Sequence, residues 1–342
     1  MVMKILVTGG AGYIGSHTVV QLQKAGYETI IVDNFANSNP SVIANIEEIT
    51  KTKPLSINLD LSDSVETEKF FQSNSDIKAI IHFAAHKAVG ESVEKPIQYY
   101  QNNIESLLNV VSNMVKYGIK NIVFSSSCTV YGQPDQLPVV ESTPRKPAES
   151  PYGNTKSICE DILRDTCKST QSISAIALRY FNPIGAHPSA LIGETPNGIP
   201  NNLVPYLMQT AVGVREVLSV YGDDYNTPDG TAIRDYIDVM DLADAHVVAI
   251  ERMLNNKQES NYEYFNIGTG EGVSVLQLIK SFMKATHEPL NYKIVGRRAG
   301  DIEKIWADTT ISSQKLGWKA KVGIEESLLS AWNWERKTRG LI

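Results

Sequence analysis

Disulfide and metal chemistry have little to work with in this chain. Its 342 residues include only three cysteines, Cys128, Cys159 and Cys167, with no CxxC pair. An odd, scattered set supplies neither a disulfide framework nor a zinc knuckle, and it fits a reducing compartment. The six histidines show no HExxH-type spacing, so no metal site is expected. Positive charge is also short: 32 Lys and Arg against 38 Asp and Glu leave a net charge of −6. That balance repels nucleic acid and anionic membranes over most of a surface, while leaving room for a local basic pocket. Long apolar runs are missing too. The stretch MVMKILVTGG is apolar for only a few residues before its glycines, short of a signal-peptide core or a membrane span. A cytoplasmic protein is expected.

What the chain does contain is a series of short, continuous apolar runs: KILVTG (4–9), ETIIVD (28–33), PLSIN (54–58), AIIHFAA (79–85), NIVFSS (121–126) and SAIALRY (174–180). Continuity, where a half-exposed strand would alternate, marks strands covered on both faces. Between them lie helical spacings such as Ile14, Thr18, Leu22 and Ala25, closed by Gly26. Six strands with intervening helices predict an α/β fold built on a Rossmann-type, doubly wound parallel sheet, with its ligand at the carboxyl ends of the strands. After Phe181 the texture becomes rich in Pro, Gly and Asn. A dinucleotide-binding domain over 1–181 and a smaller mixed α/β domain over 182–342 are therefore expected, with segments near 235–255 and 264–270 packing back onto the first. A helix over 241–254, a strand over 264–267, and helices from Ser274 and near Ile324 complete the reading.

The first strand runs into TGGAGYIGSH, which sets Gly9, Gly12 and Gly15 in a GxxGxxG spacing as a helix opens. Small residues there let backbone N–H groups and the helix N-terminus approach a pyrophosphate, although glycine-rich turns after strands also serve packing. Asp33 ends the second strand 18 residues beyond Gly15, close to the distance at which an acid contacts the adenosine ribose. Its charge disfavours a 2′-phosphate, so NAD is expected in preference to NADP. Asp60, after the third strand, is placed to accept from adenine, and Lys87 follows the fourth strand, where a solvated loop lysine is the plainer reading.

In SPYGNTK, Ser150 and Pro151 suit the N-cap and first position of a helix. Tyr152 and Lys156 then fall one turn apart on one face, while Ile158, Ile162 and Thr166 continue a separate packed face. A free tyrosine titrates near pH 10, too high for a base at neutral pH. A neighbouring ammonium, a positively charged nicotinamide and the helix N-terminus all favour the phenolate. FSSSCTVYG (124–132) places Ser127 at the end of the fifth strand, where it completes a Ser–Tyr–Lys unit.

Together TGGAGYIG, the strand-end SSS and YGNTK as YxxxK resemble the extended short-chain dehydrogenase/reductase family. The wider set GYIGSHTV, DNFANS, KAVGESVEKP, NPIGAHPSALIGE, GIPNNLVPY, GTAIRDYIDVMDLADAH and RRAGD is similar to its UDP-hexose 4-epimerase branch almost from end to end. The resemblance implies that Tyr152 removes the proton of the sugar 4-hydroxyl while C4 passes hydride to tightly held NAD. Lys156 then binds the nicotinamide ribose and tunes Tyr152. The 4-keto sugar turns over in the pocket and takes hydride back on its other face, interconverting UDP-galactose and UDP-glucose. It further implies that Tyr13, Ile14, Asp33, Asn34, Phe35, Ala36, Asn37, Ser38, Asp60, Leu61, Phe83, Ala84, Ala85, Lys87, Asn102 and Phe181 line NAD. Asn182, Asn202, Leu203, Tyr221, Arg234, Arg298 and Asp301 would hold the UDP-sugar, with Lys87, Ser127 and Tyr152 facing it. The two arginines have the forked geometry that suits a diphosphate.

Three other readings stand beside this one. Nucleotide-sugar 4,6-dehydratases share the glycine and YxxxK motifs but carry Thr-Asp-Glu at the strand end, where this chain has Ser127, Cys128 and Thr129. UDP-uronate epimerases and decarboxylases use the same scaffold, and a silent NAD sensor would need only the cofactor site. Ile305 falls where the family's side-chain bulk limits the sugar's C2 substituent, so activity on UDP-GalNAc and UDP-GlcNAc is also expected; simple packing beside Trp306 is the alternative. The resemblance further implies a homodimer, with helices over 97–117 and 152–169 as candidates for the interface.

Overall fold

The computed structural model describes residues 2–298 and 301–342. The apolar runs become β1 (Lys4–Thr8), β2 (Glu28–Asp33), β3 (Leu55–Asn58), β4 (Ala79–His82), β5 (Asn121–Ser127) and β6 (Ser174–Tyr180). Between them lie α1 (Tyr13–Lys24), α2 (Ser41–Thr50), α3 (Ser64–Ser73), α4 (Val89–Glu94), α5 (Pro96–Tyr100), α6 (Ser106–Tyr117) and α7 (Pro151–Ser169). The second half contributes β7 (Asn182–Ile184), α8 (Leu203–Ala211), β8 (Leu218–Tyr221), β9 (Ile233–Arg234), β10 (Tyr236–Asp238), α9 (Val239–Leu254) and β11 (Tyr262–Ile267). It ends with β12 (Val273–Ser274), α10 (Val275–Thr286), β13 (Tyr292–Val295), β14 (Lys304–Ile305) and α11 (Ile324–Thr338).

The main sheet runs β3-β2-β1-β4-β5-β6-β11, all parallel. Strands β1 to β3 build outward one way and β4 to β6 the other, so the order reverses between β1 and β4. That switch point opens a crevice beyond the strand ends. The sheet has a seventh strand that the run of six did not include. β11 comes from beyond Phe181 and pairs with β6 in register from Tyr262↔Ala175 to Ile267↔Tyr180, so a cut at Phe181 divides the sequence but not the sheet.

Both faces of the sheet are buried except at its edge, where β3, expected from PLSIN to be covered on both faces, has Leu55 and Asn58 exposed and the two residues between them half-buried. Ile5 and Val7 of β1 pack on one side with Val19, Val20 and Leu22 of α1 and Leu242 and Ile250 of α9. Leu6, between them, packs on the other with Leu107, Val110 and Met114 of α6 and Leu163 of α7. The period of two sends neighbours to opposite faces, and burial of both explains the unbroken apolar runs. The second half has its own core of Leu207, Met208, Leu278, Phe282, Leu328 and Trp332. A small cluster of Cys128, Val130, Tyr131, Val139, Phe181, Ile305 and Ala307 joins the two halves.

Helix α7 begins as its sequence requires, with the Ser150 hydroxyl accepting the Gly153 N–H at 3.1 Å and Pro151 in the first turn. Its packed face differs from the one expected. Tyr152, Lys156, Cys159, Leu163 and Cys167 form the buried stripe, and Ile158, Ile162 and Thr166 are only half-buried. A thiol buries as readily as an aliphatic group, so two cysteines carry the face that was assigned to isoleucines. All three cysteines are free and buried. Among the described residues no helix is long and apolar enough to cross a membrane.

Four buried histidines tie stability to pH. Burial lowers His17 and His82 to about 3 and His187 and His246 to about 4. The Nδ1 atoms of His17 and His246 donate to Tyr13 O and Leu242 O, and their Nε2 atoms are buried with no partner among the described residues. Protonation would therefore bury an unpaired charge. A depressed histidine contributes stability that is complete above its unfolded value near 6.5 and is lost as pH falls towards the folded one. At pH 5 each histidine costs about 2 kcal/mol. Burial raises Asp238 to about 6, and its protonation gives back about 1 kcal/mol there. Urea unfolding at pH 7.0 and 5.0 should show a loss of several kcal/mol at the lower pH; equal midpoints and slopes would refute this account.

Candidate active site

The site is built around the ends of β1, β4 and β5. Gly9 leaves β1 with φ +67°, and a Cβ there would lie 2.8 Å from Ala84 N. A Cβ on Gly15 would lie 2.2 Å from Gly9 O, and one on Gly12 would crowd the same oxygen at 3.2 Å. Any side chain would fill this cradle. Gly12 is the N-cap of α1, in extended backbone and with no side chain to occupy the first turn, so the exposed N–H groups fit a pyrophosphate. Tyr13 and Ile14 open α1, with the Tyr13 hydroxyl donating to Gly185 O at 2.6 Å and Ile14 packed on the core.

Asp33 is nearly buried and does more than wait for a ribose. Its Oδ2 accepts the Ala11 N–H at 3.0 Å, and its Oδ1 accepts the Phe35 N–H and the Ser38 hydroxyl, each at 2.9 Å. The carboxylate thus joins the glycine turn to the loop of Asn34, Phe35, Ala36, Asn37 and Ser38. Asn34 donates to Asp60 at 3.3 Å, and Asn37 lies 3.3 Å from His86 Nδ1. Burial works to raise Asp60, but hydrogen bonds from Ser62 and Asn34 outweigh it and hold the carboxyl below its ordinary value. Leu61 is buried beside it. The Phe83 ring lies 4.6 Å from that of His246, tilted by 49°, and the Ala84 N–H reaches Thr8 Oγ1; Ala85 continues this loop to Lys87, which pairs with Glu194 at 3.1 Å.

Asn102 lies in a π-helical turn over Gln101–Glu105 and donates to Asn103 Oδ1 at 2.9 Å. Asn103 is a candidate site residue that the sequence reading did not include. Its Oδ1 also accepts the His86 N–H at 2.8 Å, and its Nδ2 donates to His86 O and to Thr155 Oγ1. Thr155 in turn donates to Tyr152 O at 2.7 Å. One buried amide therefore ties the loop after β4 to the turn of α7 that carries Tyr152 and Lys156. The doubled NN inside a helical stretch was the available signal, and π-turns of this kind concentrate at functional sites.

Ser127 ends β5, and its hydroxyl accepts the Thr129 N–H at 3.2 Å. Tyr152 and Lys156 are both buried. Lys156 Nζ donates to Ser125 O at 2.7 Å and lies 5.8 Å from the centre of the Tyr152 ring. Burial lowers Lys156 to about 8, against the opposing influence of Cys159 and Glu160. Burial also drives the Tyr152 phenol well above its ordinary value, helped by Tyr180 and Cys128 and opposed by the Ser127 hydroxyl. Among the protein's own groups, then, Lys156 does not hold Tyr152 low: desolvation prevails, and the ammonium is turned onto the Ser125 carbonyl.

The remaining expected site residues come from the second half. Asn182 opens β7 and Asn202 precedes Leu203 at the start of α8. Arg298 holds Asp301 in a two-pronged contact, Nε to Oδ2 at 3.0 Å and Nη2 to Oδ1 at 2.7 Å, and lies 5.4 Å from the Tyr221 ring centre. Arg234 reaches the same Asp301 at 3.9 Å. Ile305 stands opposite Arg234 in the β9–β14 pairing and is buried with Cys128 and Phe181. Ala299 and Gly300 of RRAGD lie outside the described residues. Among the described residues no cluster of His, Cys, Asp and Glu could hold a metal ion.

A protein-family model described as GDP-mannose 4,6 dehydratase matches residues 6–330. The UDP-glucose 4-epimerase of Bacillus subtilis is 49% identical over 333 residues, covering 97% of each chain. That of Haemophilus influenzae is 47% identical and covers 98% of each. The crystal structure of UDP-glucose 4-epimerase from Bifidobacterium longum in complex with NAD+ and UDP superposes with a TM-score of 0.94 at 46% identity, over 99% of this chain and 100% of that one.

Proposed function

Since the chain belongs to the UDP-glucose 4-epimerase family, whose NAD-dependent reaction interconverts UDP-glucose and UDP-galactose, we propose that Tyr152 is the proton carrier at sugar C4. Ser127 and Lys156 are its partners. The observation that carries this is the convergence of the Tyr152 phenol, the Ser127 hydroxyl and the Lys156 ammonium at the ends of β5 and α7, next to a glycine cradle that fits a dinucleotide. NAD, when bound, supplies the hydride acceptor for C4 and a positive ring whose charge favours the phenolate. Tyr152 takes the proton of the 4-hydroxyl as C4 is oxidised and returns it once the keto sugar has turned over. Ser127 shares that proton's hydrogen bond. Lys156, lowered to about 8, is still mostly charged at neutral pH and holds the backbone of Ser125 beside the reacting pair.

The cofactor residues proposed are Gly9, Gly12, Gly15, Tyr13, Asp33 and its loop, Asp60, Phe83, Lys87, Asn102 and Phe181. Asn182, Asn202, Leu203, Tyr221, Arg234, Arg298 and Asp301 form the UDP-sugar half. The matching family model carries a dehydratase description, yet water elimination needs an acid and a base beside the tyrosine. This chain offers Cys128 and Thr129 there, and the Cys128 thiol, raised by burial to about 12, is a poor proton donor at neutral pH.

Two finer proposals rest on particular side chains. Ile305 limits the room at the sugar's C2, being branched but smaller than an aromatic, so N-acetylated UDP-hexosamines are also substrates. Two copies pair through the face that exposes Val89, Val93, Ile97, Leu108 and Val115, an apolar set on α4, α5 and α6 of the kind that marks an association surface.

Purified protein offered UDP-galactose with no added cofactor should form UDP-glucose, and Tyr152→Phe should lower the rate about 10³-fold while retaining NAD. A 4-keto-6-deoxy product would replace this reading with dehydration. Ile305→Tyr should reduce UDP-GalNAc turnover about tenfold more than UDP-galactose turnover, the scale on which pocket bulk discriminates; equal losses would remove Ile305 as the gate. Light scattering at micromolar concentration should give a dimer that Ile97→Glu converts to monomer, and a monomeric parent would rule out the pairing.

A further inference from the structure

Asn202 stands at the N-cap of α8 without capping it. Its backbone is extended, φ −84° and ψ 145°, as an N-cap requires, and no side-chain cap forms among the described residues. Asn is one of the best capping residues because its side-chain oxygen accepts an N–H of the first turn. Here the amide instead donates to Glu194 Oε1 at 3.0 Å. The same oxygen receives Lys87 Nζ at 3.1 Å. Lys87 comes from the loop after β4, on the cofactor side, and Asn202 from the start of α8, on the sugar side, so the two sides of the cleft meet on one carboxylate oxygen.

Glu194 is placed by its own backbone as well as by these partners. Trp334 Nε1 donates to Glu194 O at 3.0 Å. Gly193 lies so close to the Trp334 ring that a Cβ would be 2.5 Å from it. The carboxylate is mostly buried, 13% exposed, while Lys87 is 59% exposed. A fixed acceptor thus restrains a mobile ammonium, which would otherwise keep most of its rotamer freedom. A hydrogen bond to an ionised acceptor is roughly twice as strong as one between neutral groups, so the bond from Nδ2 to Glu194 fixes the Asn202 side chain in an orientation in which its oxygen does not cap α8.

We propose that Glu194 is a positioning residue for the nucleotide sugar. By drawing Asn202 away from its cap, it leaves the first N–H groups of α8 open to the diphosphate of the UDP-sugar. By pairing with Lys87 it sets an ammonium at the same mouth and cancels its own charge there. This rests on the epimerase reading above.

The test is steady-state turnover of UDP-galactose by the full-length protein and its Glu194→Ala, Glu194→Gln, Asn202→Ala and Asn202→Ala/Glu194→Ala variants, with bound NAD measured in each. Glu194→Ala should raise KM about tenfold, the scale of one charge-assisted hydrogen bond, with kcat within about threefold and NAD content unchanged. Glu194→Gln, which keeps an acceptor for Asn202 but no charge for Lys87, should fall between. In the Asn202→Ala background, Glu194→Ala should raise KM by no more than Glu194→Gln does in the parent, the share that passes through Lys87. A KM within twofold of the parent in Glu194→Ala would overturn the proposal, as would the same tenfold factor recurring in the Asn202→Ala background, which is the signature of a general structural loss. A parent inactive on UDP-galactose would sink the epimerase reading and this inference together, whereas an active parent with an unmoved Glu194→Ala sinks the inference alone.

Discussion

The proposed reacting groups, Ser127, Tyr152 and Lys156, are held by a charge pair that touches none of them. Arg179 of β6 and Glu160 of α7 are almost wholly buried and joined at two points, Nε to Oε1 at 2.9 Å and Nη2 to Oε2 at 2.6 Å. Burying two ions costs more than their attraction returns unless every remaining polar atom is satisfied. Here Ser126 donates to Glu160 at 2.5 Å, Arg179 also donates to the Tyr131 hydroxyl, and its guanidinium lies 4.2 Å from the Tyr264 ring centre. The pair thereby fastens α7 to β5, β6 and β11 one turn beyond Lys156. With the helix clamped there, Lys156 reaches the Ser125 carbonyl, and Tyr152 falls beside Ser127. Removing one partner alone would strand a buried charge at a cost of about 3–5 kcal/mol, so the hub is unforgiving of single substitutions.

The same packing explains the state of the tyrosine. A phenol brought to the end of two buried elements loses the water that would solvate its anion, and desolvation exceeds any help that the neighbouring hydroxyl gives. Lys156 suffers the reverse effect and is lowered. Two groups whose charged forms are both disfavoured by burial respond strongly to any fixed charge placed between them, because low dielectric amplifies it. On the proposed role of Tyr152, the scaffold therefore makes proton transfer there conditional on the ligands that bind beside it.

Much of this was legible in the sequence, and the gaps share a cause. The central strands could be read because burial on both faces leaves unbroken apolar runs, whereas the edge strand β3 is exposed or half-buried throughout, and α7 announced itself through Ser150 and Pro151. The glycine spacing located the cradle because backbone approach tolerates nothing larger. What could not be read were facts of pairing between distant segments. β11 was visible as a strand that packs back onto the first half, but nothing local says that it lies beside β6, 87 positions earlier in the chain. Arg179 was counted as one residue of an apolar strand, since its partner Glu160 sits on another element. Asn103 and Glu194 were passed over for the same reason: each matters through what it bridges, and bridges have no local period.

That distinction also orders the site by how firmly each half is specified. On the cofactor side, glycines, Asp33 and the strand ends belong to consecutive β-α units, so their geometry follows from the sheet. On the proposed sugar side, Arg234 and Ile305 sit on two-residue strands that, among the described residues, pair only with each other and with β12, and Arg298 and Arg234 converge on Asp301. Short elements of this kind can be repositioned without disturbing the main sheet. The small cluster of Cys128, Phe181 and Ile305 is then the place where the variable half is registered against the fixed one, because it sets one side chain from the end of β5 against one from β14. With Ile305 as the proposed gate, substrate choice in such a fold can change there, while Tyr152, the proposed proton carrier, stays where the Arg179–Glu160 pair puts it.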